Sequence, residues 1–202
     1  ITMANVDGLE IDGNGATNGV EKYTQSAVYG THFNLEANRY ARNGYTFVGW
    51  NTEKTANTAL YQEAEDVVNL TTEDGAEVKL FAIWSAKSYE ITIHKNDGTD
   101  ETTTQTVRFD NAKVENTFTR EGYRFGGFAT TAEGTPVYSE DSDLADWIIS
   151  NNETNLDLYV FWATGEATYT VEYYLQSFDR ADEYRLFYPT SATASYVEEK
   201  TA

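Results

Sequence analysis

Apolar and polar residues alternate in short runs along most of the chain, and glycine and asparagine punctuate them. Residues 89 to 93 (Tyr-Glu-Ile-Thr-Ile) alternate with a period of two. Residues 103 to 109 are rich in threonine and end on Val107 and Phe109. Both patterns predict strands. Asn96-Asp97-Gly98 lies between them as a turn signal, so the two runs are expected to form a hairpin. Tyr123-Arg124-Phe125 predicts another strand with both aromatics on one face, and Gly126 and Gly127 predict a bulge or a close backbone approach. Leu156, Leu158, Val160 and Trp162 share one face of a run whose other face holds Tyr159 and Phe161. A strand apolar on both faces is expected at the centre of a sheet. A helical period occurs where Leu144, Trp147 and Ile148 fall at i, i+3 and i+4, with Ser142 placed to cap. Residues 63 to 70 show a shorter and weaker form of the same stretch.

The pattern repeats. Arg42-Asn43-Gly44-Tyr45-Thr46-Phe47-Val48-Gly49-Trp50 returns as Arg120-Glu121-Gly122-Tyr123-Arg124-Phe125-Gly126-Gly127-Phe128, 78 positions later. Leu80-Phe81-Ala82-Ile83-Trp84 returns as Leu158-Tyr159-Val160-Phe161-Trp162 at the same spacing. Upstream, the Val28 region matches the Val107 region with a one-residue slip. Two blocks at one offset mean a duplicated module. The expected organisation is module one over residues 1–87, module two over 88–165, and a partial third β-rich unit over 166–202. The third opens as the second does, at Tyr169-Thr170-Val171, but lacks the Gly-Tyr-x-Phe block. The joints, 85 to 88 and 163 to 167, are too short to be flexible tethers, so they are expected to restrict motion and favour an extended row. Each module is expected to hold about four strands and one helical turn or short helix.

Composition then narrows the function. The 202 residues carry 33 acidic and 14 basic side chains, a formal net charge of −19. Nucleic-acid binding needs a basic patch to displace phosphate counterions, so no nucleic-acid partner is expected. An anionic membrane surface is disfavoured for the same reason. No apolar run approaches the ~20 residues of a membrane span, so no direct membrane insertion is expected. An aromatic content of 14% separates the chain from disordered acidic sequences. There is no cysteine, hence no disulfide, thiolate metal site or cysteine nucleophile. The chain begins at Ile1 without a leader, and is expected to be an excerpt from a longer polypeptide.

Gly44, Tyr45, Phe47, Gly49 and Trp50, closed by Leu80, Phe81 and Trp84, resemble the Listeria–Bacteroides repeat, also called the InlB B-repeat. Gly122, Tyr123, Phe125, Gly127 and Phe128, closed by Leu158, Tyr159 and Trp162, resemble it again, with Phe128 in place of the usual tryptophan. Residues 106 to 109 and 116 to 120 fit as well, and the resemblance covers about 160 of the 202 residues. The third unit resembles the opening of a mucin-binding-type repeat. The resemblance implies an α+β, mostly β fold of tandem β-grasp-like, ubiquitin-like repeats in an extended array. It also implies a secreted or wall-attached bacterial surface protein. It carries no catalytic residue, no cofactor and no binding site to this chain.

Candidate chemistry is sparse beside this. Glu140, Asp141, Asp143 and Asp146 cluster, as do Asp97, Asp100 and Glu101, and oxygen-rich loops can hold calcium. None follows the EF-hand spacing, and Ala16 breaks the start at Asp12-Gly13-Asn14-Gly15, so a solvated acidic surface is expected. The many carboxylate pairs single out no glycosidase pair. His32 and His94 are expected at the surface or a strand edge, not on a metal. An Asn–Lys isopeptide would need a buried lysine, with Lys79 and Lys95 as candidates. The recurring aromatics are expected in the core. Tyr173 and Tyr174, with Tyr184, Phe187 and Tyr188, do not recur, and the first two are candidate ligand contacts. The expected function is a non-catalytic spacer or adhesive array, monomeric as a fragment. Direct binding of a host glycoprotein, a glycan or another surface protein is the second reading. An accessory region of a secreted enzyme is the third.

Overall fold

The computed structural model describes residues 5–19, 22–72, 76–164, 166–176 and 184–195, with side chains over 8–19, 22–72 and 76–164. The alternating segments form strands as their period requires. β1 (Asn5–Asp12) and β2 (Lys22–Val28) pair antiparallel, with Glu10 opposite Thr24 and Asp12 opposite Lys22. β2 alternates exposed and half-buried residues along its length, the signature of an edge strand with one wet face. β3 (Phe33–Asn34), β4 (Tyr45–Asn51), β5 (Asp66–Val67) and β6 (Val78–Ala86) follow. The sheet order is β2-β1-β6-β4. β6 is parallel to β1 and antiparallel to β4. Its central place explains why Val78, Leu80, Ala82 and Ile83 are all buried although they alternate between faces only in part.

The second repeat builds the same sheet. β7 (Ser88–His94), β8 (Thr102–Arg108), β9 (Tyr123–Ala129) and β10 (Asp157–Thr164) stand in the order β8-β7-β10-β9. β10 is parallel to β7 and antiparallel to β9. The expected β7–β8 neighbours and the central β10 are both present. In each sheet the order is thus second, first, last, third strand.

Between the third and last strands the repeats differ. In the second, α1 (Ala145–Ser150) forms and buries Trp147 and Ile148. Its N-cap is Leu144, with no side-chain cap bond. The expected Ser142 cap is therefore corrected. The Ser142 Oγ instead accepts from the Ser139 backbone N–H at 2.8 Å, closing the turn before the helix. In the first repeat, residues 63 to 70 form no helix. There β5 pairs with β3, Phe33 opposite Val67. Beyond the second sheet, β11 (Glu166–Gln176) and β12 (Tyr184–Ser195) form an antiparallel hairpin with a register shift between Tyr173 and Tyr174.

The chain divides into two compact units: residues 1–89, 107–112 and 144–154, and residues 90–106, 113–143 and 155–202. In the first unit Leu9, Ile11, Leu35, Tyr40, Trp50, Val67, Val78, Leu80 and Ala82 form one core cluster. Tyr23, Phe33, Phe47 and Trp84 pack around it. Full burial of a side chain such as Leu80 contributes about 2 kcal/mol relative to exposure. In the second unit Ile91, Ile93, Val114, Phe128, Leu158 and Val160 are buried.

Candidate functional site

The recurring block begins with a turn. The Tyr45 N–H donates to the Arg42 carbonyl at 3.0 Å, and the Tyr123 N–H to the Arg120 carbonyl at 3.1 Å. Each arginine folds over the tyrosine it precedes, with its guanidinium carbon 4.0 Å from the Tyr45 ring centre and 3.9 Å from that of Tyr123. Gly44 and Gly122 supply the positive φ of the turn, +74° and +77°.

Next comes a bulge. The ladder between β4 and β6 slips between Phe47 and Gly49, and that between β9 and β10 slips between Val160 and Trp162. Gly49 and Gly127 sit at the slips, where a Cβ would lie 2.5 Å from the Tyr61 carbonyl oxygen and 2.8 Å from that of Tyr138. The sequence expectation of a bulge and the alternative of a close backbone approach both describe this point. The close approach lets the N–H of the following residue reach across: Trp50 donates to Tyr61 and Phe128 to Tyr138, at 2.8 and 2.7 Å. Trp50 and Phe128 are fully buried. Phe47 and Phe125 meet them edge-on, with ring centres 4.8 and 4.9 Å apart. The closing tryptophans are only half-buried, because their indoles reach outward to a backbone carbonyl. Trp84 Nε1 donates to Gly13 at 2.9 Å, and Trp162 Nε1 to Lys95 at 2.6 Å.

Those two acceptors each precede an asparagine: Asn14, in the interrupted EF-hand start, and Asn96, in the turn signal of the second repeat. Asn14 and Asn96 adopt positive φ, +46° and +56°. The Asn14 side-chain amide donates to the carbonyls of Ala82 on β6 and Lys54 in the loop after β4, at 2.9 and 3.0 Å. The Asn96 amide donates to Val160 on β10 and Ala132 in the loop after β9, at 3.1 and 2.9 Å. Ala82 and Val160, like Lys54 and Ala132, are 78 positions apart. One amide thus ties three segments in each repeat. A second pair does similar work. Asn38 and Asn116 each close a local Asx turn, and their backbone N–H groups donate to Glu63 and Glu140 at 2.8 and 2.7 Å. The available signal was the recurrence of these polar residues near the same offset as the aromatics.

A joint lies within the first unit, where the connection at Lys87 is fixed on both sides. The Lys87 N–H donates to the Gly44 carbonyl at 2.9 Å, and the Phe109 N–H donates to the Lys87 carbonyl at 3.0 Å. The Phe109 ring stands 5.5 Å from that of Tyr45 and 6.2 Å from that of Tyr89. A side chain on Gly44 would overlap the Phe109 ring, so this glycine is required by space as well as by φ. Lys87 Nζ pairs with Glu153 at 2.8 Å and holds that carboxylate below its usual range. Burial, with the Glu153 charge adding to it, pushes the Tyr89 hydroxyl up to about 12.

Several carboxylates of the acidic loops have local partners. Asp97 accepts from the Thr99 hydroxyl at 2.6 Å and pairs with Lys95 at 3.1 Å. The Thr99 bond, then Lys95, brings its carboxyl down to about 2. Glu140 is engaged by Asn116. Among the described residues no group of three or more His, Asp or Glu could hold a metal ion. His32 is exposed and pairs with Asp66 at 3.1 Å. His94 pairs with Asp157 at 2.8 Å and stacks on Tyr159 with ring centres 4.4 Å apart. The buried lysine that an isopeptide would need is absent among the described residues. Lys79 and Lys95 instead face carboxylates, Glu10 for the first and Asp97 and Glu101 for the second. A polar hollow of about 480 Å³ opens beside residues 12–19, Lys22, Tyr40 and Lys54. Lys22 is neutralised there by Glu10 and Asp12, and the Tyr40 hydroxyl donates to the Ile11 carbonyl at 2.8 Å. Tyr173 and Tyr174 lie on β11 at its register shift, and their side chains lie outside the described residues.

Two mixed sheets of one strand order, each closed by the same glycine turn, bulge and asparagine tie, define a mostly β protein of tandem repeats. The sequence pattern of the Listeria-Bacteroides repeat domain matches residues 12–74 and 89–159, and the chain belongs to that family. This is a repeat domain of bacterial surface proteins. A protein of Evansella cellulosilytica named "Putative Gly-rich membrane protein" is 25% identical over 165 residues, covering 79% of this chain and 18% of that protein. The chain therefore spans about a fifth of the length of that relative. Among the described residues no helix is long and apolar enough to cross a membrane.

Proposed function

We propose that the chain is a non-catalytic repeat segment of an extracellular, secreted or cell-surface bacterial protein. In this reading it is an extended array of β-grasp-like modules over 1–87 and 88–165, with a third β-rich unit over 166–202. The strand order, with first and last strands parallel at the centre, supports the β-grasp assignment.

The observation that carries the functional reading is where the recurring polar side chains go. Asn14, Asn38, Trp84 and their copies each bond the backbone of their own repeat. Bonds of this kind hold the shape of a module and leave its polar side chains occupied within it. The negative charge keeps neighbouring chains apart and in solution. The fragment is a monomer in this reading, and it needs no cofactor.

The test is binding of the purified chain to glycans, mucin and matrix proteins, with calcium and with chelator. The spacer reading expects no saturable binding in either condition. Saturable binding lost on Tyr173→Ser with Tyr174→Ser would make the segment an adhesive module for a host glycoprotein, a glycan or another surface protein. Turnover of any glycan by the purified chain would overturn the non-catalytic reading.

A further inference from the structure

The joint in the first unit uses one end of a repeat as its seat. In the second repeat that end includes the turn Arg108-Phe109-Asp110-Asn111, closed by the Asn111 N–H donating to Arg108 at 2.9 Å. The first repeat has a turn at the same place, Val28-Tyr29-Gly30-Thr31, closed by the Thr31 N–H donating to Val28 at 3.1 Å, with Gly30 at φ +75° where Asp110 keeps a negative φ. Tyr29 therefore stands where Phe109 stands. The residues before the turns agree: Gln25 and Gln105, three positions upstream of Val28 and Arg108, each brace the segment that follows with their side-chain amides.

The two turns differ in what covers them. Phe109 packs on Gly44 and Tyr45. Tyr29 is 39% exposed, beside Val28 at 43% and Val68 at 38%. A shallow apolar cleft lined by Leu9, Ala27, Phe33 and Leu70 adjoins them. Val28 and Tyr29 line that cleft together, so this end of the repeat presents an apolar face to a partner.

We propose that this end of the first repeat seats a further repeat of the same family, joined in line ahead of it. The Gly-Tyr turn of that repeat would pack on Tyr29 as Gly44-Tyr45 packs on Phe109. The chemistry required of the occupant is a glycine whose missing side chain admits the ring, a free carbonyl beside it, and a tyrosine to meet the ring edge-on. The occupant is tethered, because one aromatic and two backbone bonds bury far less than the ~1,000 Å² of a stable free interface. A one-residue joint raises the effective concentration enough for so small a contact to form. The inference rests on the tandem-array reading above.

The test compares the full chain with a chain carrying an added copy of residues 1–87 joined to Asn5. Amide exchange at the added joint is measured with and without Tyr29→Ala in the original copy. The expected result is exchange at least tenfold faster on Tyr29→Ala, restored by Tyr29→Phe. Phe109→Ala in the unlengthened chain calibrates it, with a comparable acceleration expected at the Lys87 N–H. If Lys87 responds to Phe109→Ala but the added joint ignores Tyr29→Ala, the proposed seat is wrong and the array reading stands. If Lys87 does not respond either, the joint itself is wrong and both readings fall.

Discussion

The first and second repeats keep the same polar ties and exchange their apolar filling. Asn14 and Asn96 tie the same three segments, and Trp84 and Trp162 close onto the same backbone position. Against that, Trp50 is replaced by Phe128, and Tyr40, whose hydroxyl bonds Ile11, is replaced by Phe118. The β3–β5 bridge of the first repeat gives way to α1 in the second. The difference is physical. A carbonyl left without its donor away from water costs about 1–3 kcal/mol, and no apolar neighbour can replace the lost bond. A core position needs only volume and apolarity, and neighbours repack around a change. Trp50 shows the point from the other side, for its indole N–H is buried without a partner among the described residues, and Phe128 fills the same place with no donor at all.

The largest expected effect, taken over both repeats, tests the shared ties. Asn14→Ala and Asn96→Ala should each cost about 2 kcal/mol, since each strands the part-buried strand carbonyl, of Ala82 or Val160, and places alanine at positive φ, while the exposed loop carbonyls turn to water. Amide exchange on β6 and β10 should locate each loss in its own repeat. An effect in one repeat alone would break the equivalence.

The second effect belongs to the first repeat. Burial pushes the Tyr40 hydroxyl up to about 12, from an ordinary value of 10.0. A raised pKa means that the neutral form is favoured by folding. Its contribution is complete below pH 10 and is lost as the pH rises towards 12. A loss on the order of 2–3 kcal/mol across that window follows. Tyr40→Phe should reduce the alkaline fall in the first repeat, while the second, with Phe118, should show none from this position. Denaturant midpoints of the parent chain and of Tyr40→Phe, compared from about pH 9 to about pH 12, read the difference.

Smaller still is the contrast between tryptophans. Trp84→Phe and Trp162→Phe each remove a hydrogen-bond donor and should cost about 1–1.5 kcal/mol. Trp50→Phe removes a donor with no acceptor among the described residues, which offsets part of the cavity the smaller ring leaves, and should cost less than about 1 kcal/mol. Denaturant midpoints at constant slope would decide it, and a larger loss at Trp50 than at Trp84 would refute the account.

The smallest effect lies at low pH in the second repeat. Asp97 has its carboxyl lowered to about 2 from 3.8, first by the Thr99 hydroxyl and then by Lys95. A depressed carboxylate contributes stability that is present above the ordinary value and lost as the pH falls through the lowered one. Stability should thus decline from pH 4 to pH 2, and Asp97→Asn should flatten part of that decline. Solvent near the site keeps the effect modest.

Much of this was legible beforehand. The repeat spacing, the family resemblance, the β7–β8 hairpin, the bulge at the paired glycines and the central β10 all follow from local pattern, and local pattern is what a strand or turn expresses. The misplaced Ser142 cap has a plain cause: a serine at capping distance can also close the preceding turn, and Ser139 offered it that partner. The Asn14 and Asn96 ties were hidden because an asparagine one or two positions before a glycine reads as a turn, which it also is here. The same φ that makes the turn aims the side chain inward.

The sequence by itself determined that this is a duplicated, acidic, mostly β chain of the Listeria–Bacteroides repeat type, because periodicity and recurrence are properties of residue order. Only the tertiary structure decided the rest. Asn14 reaches a carbonyl 68 positions away. Phe109 finds Gly44, and Tyr29 does not find an equivalent among the contacts described. Such pairings depend on backbone groups that every residue carries alike, so no residue type announces them, and they exist only once the strands have been brought together.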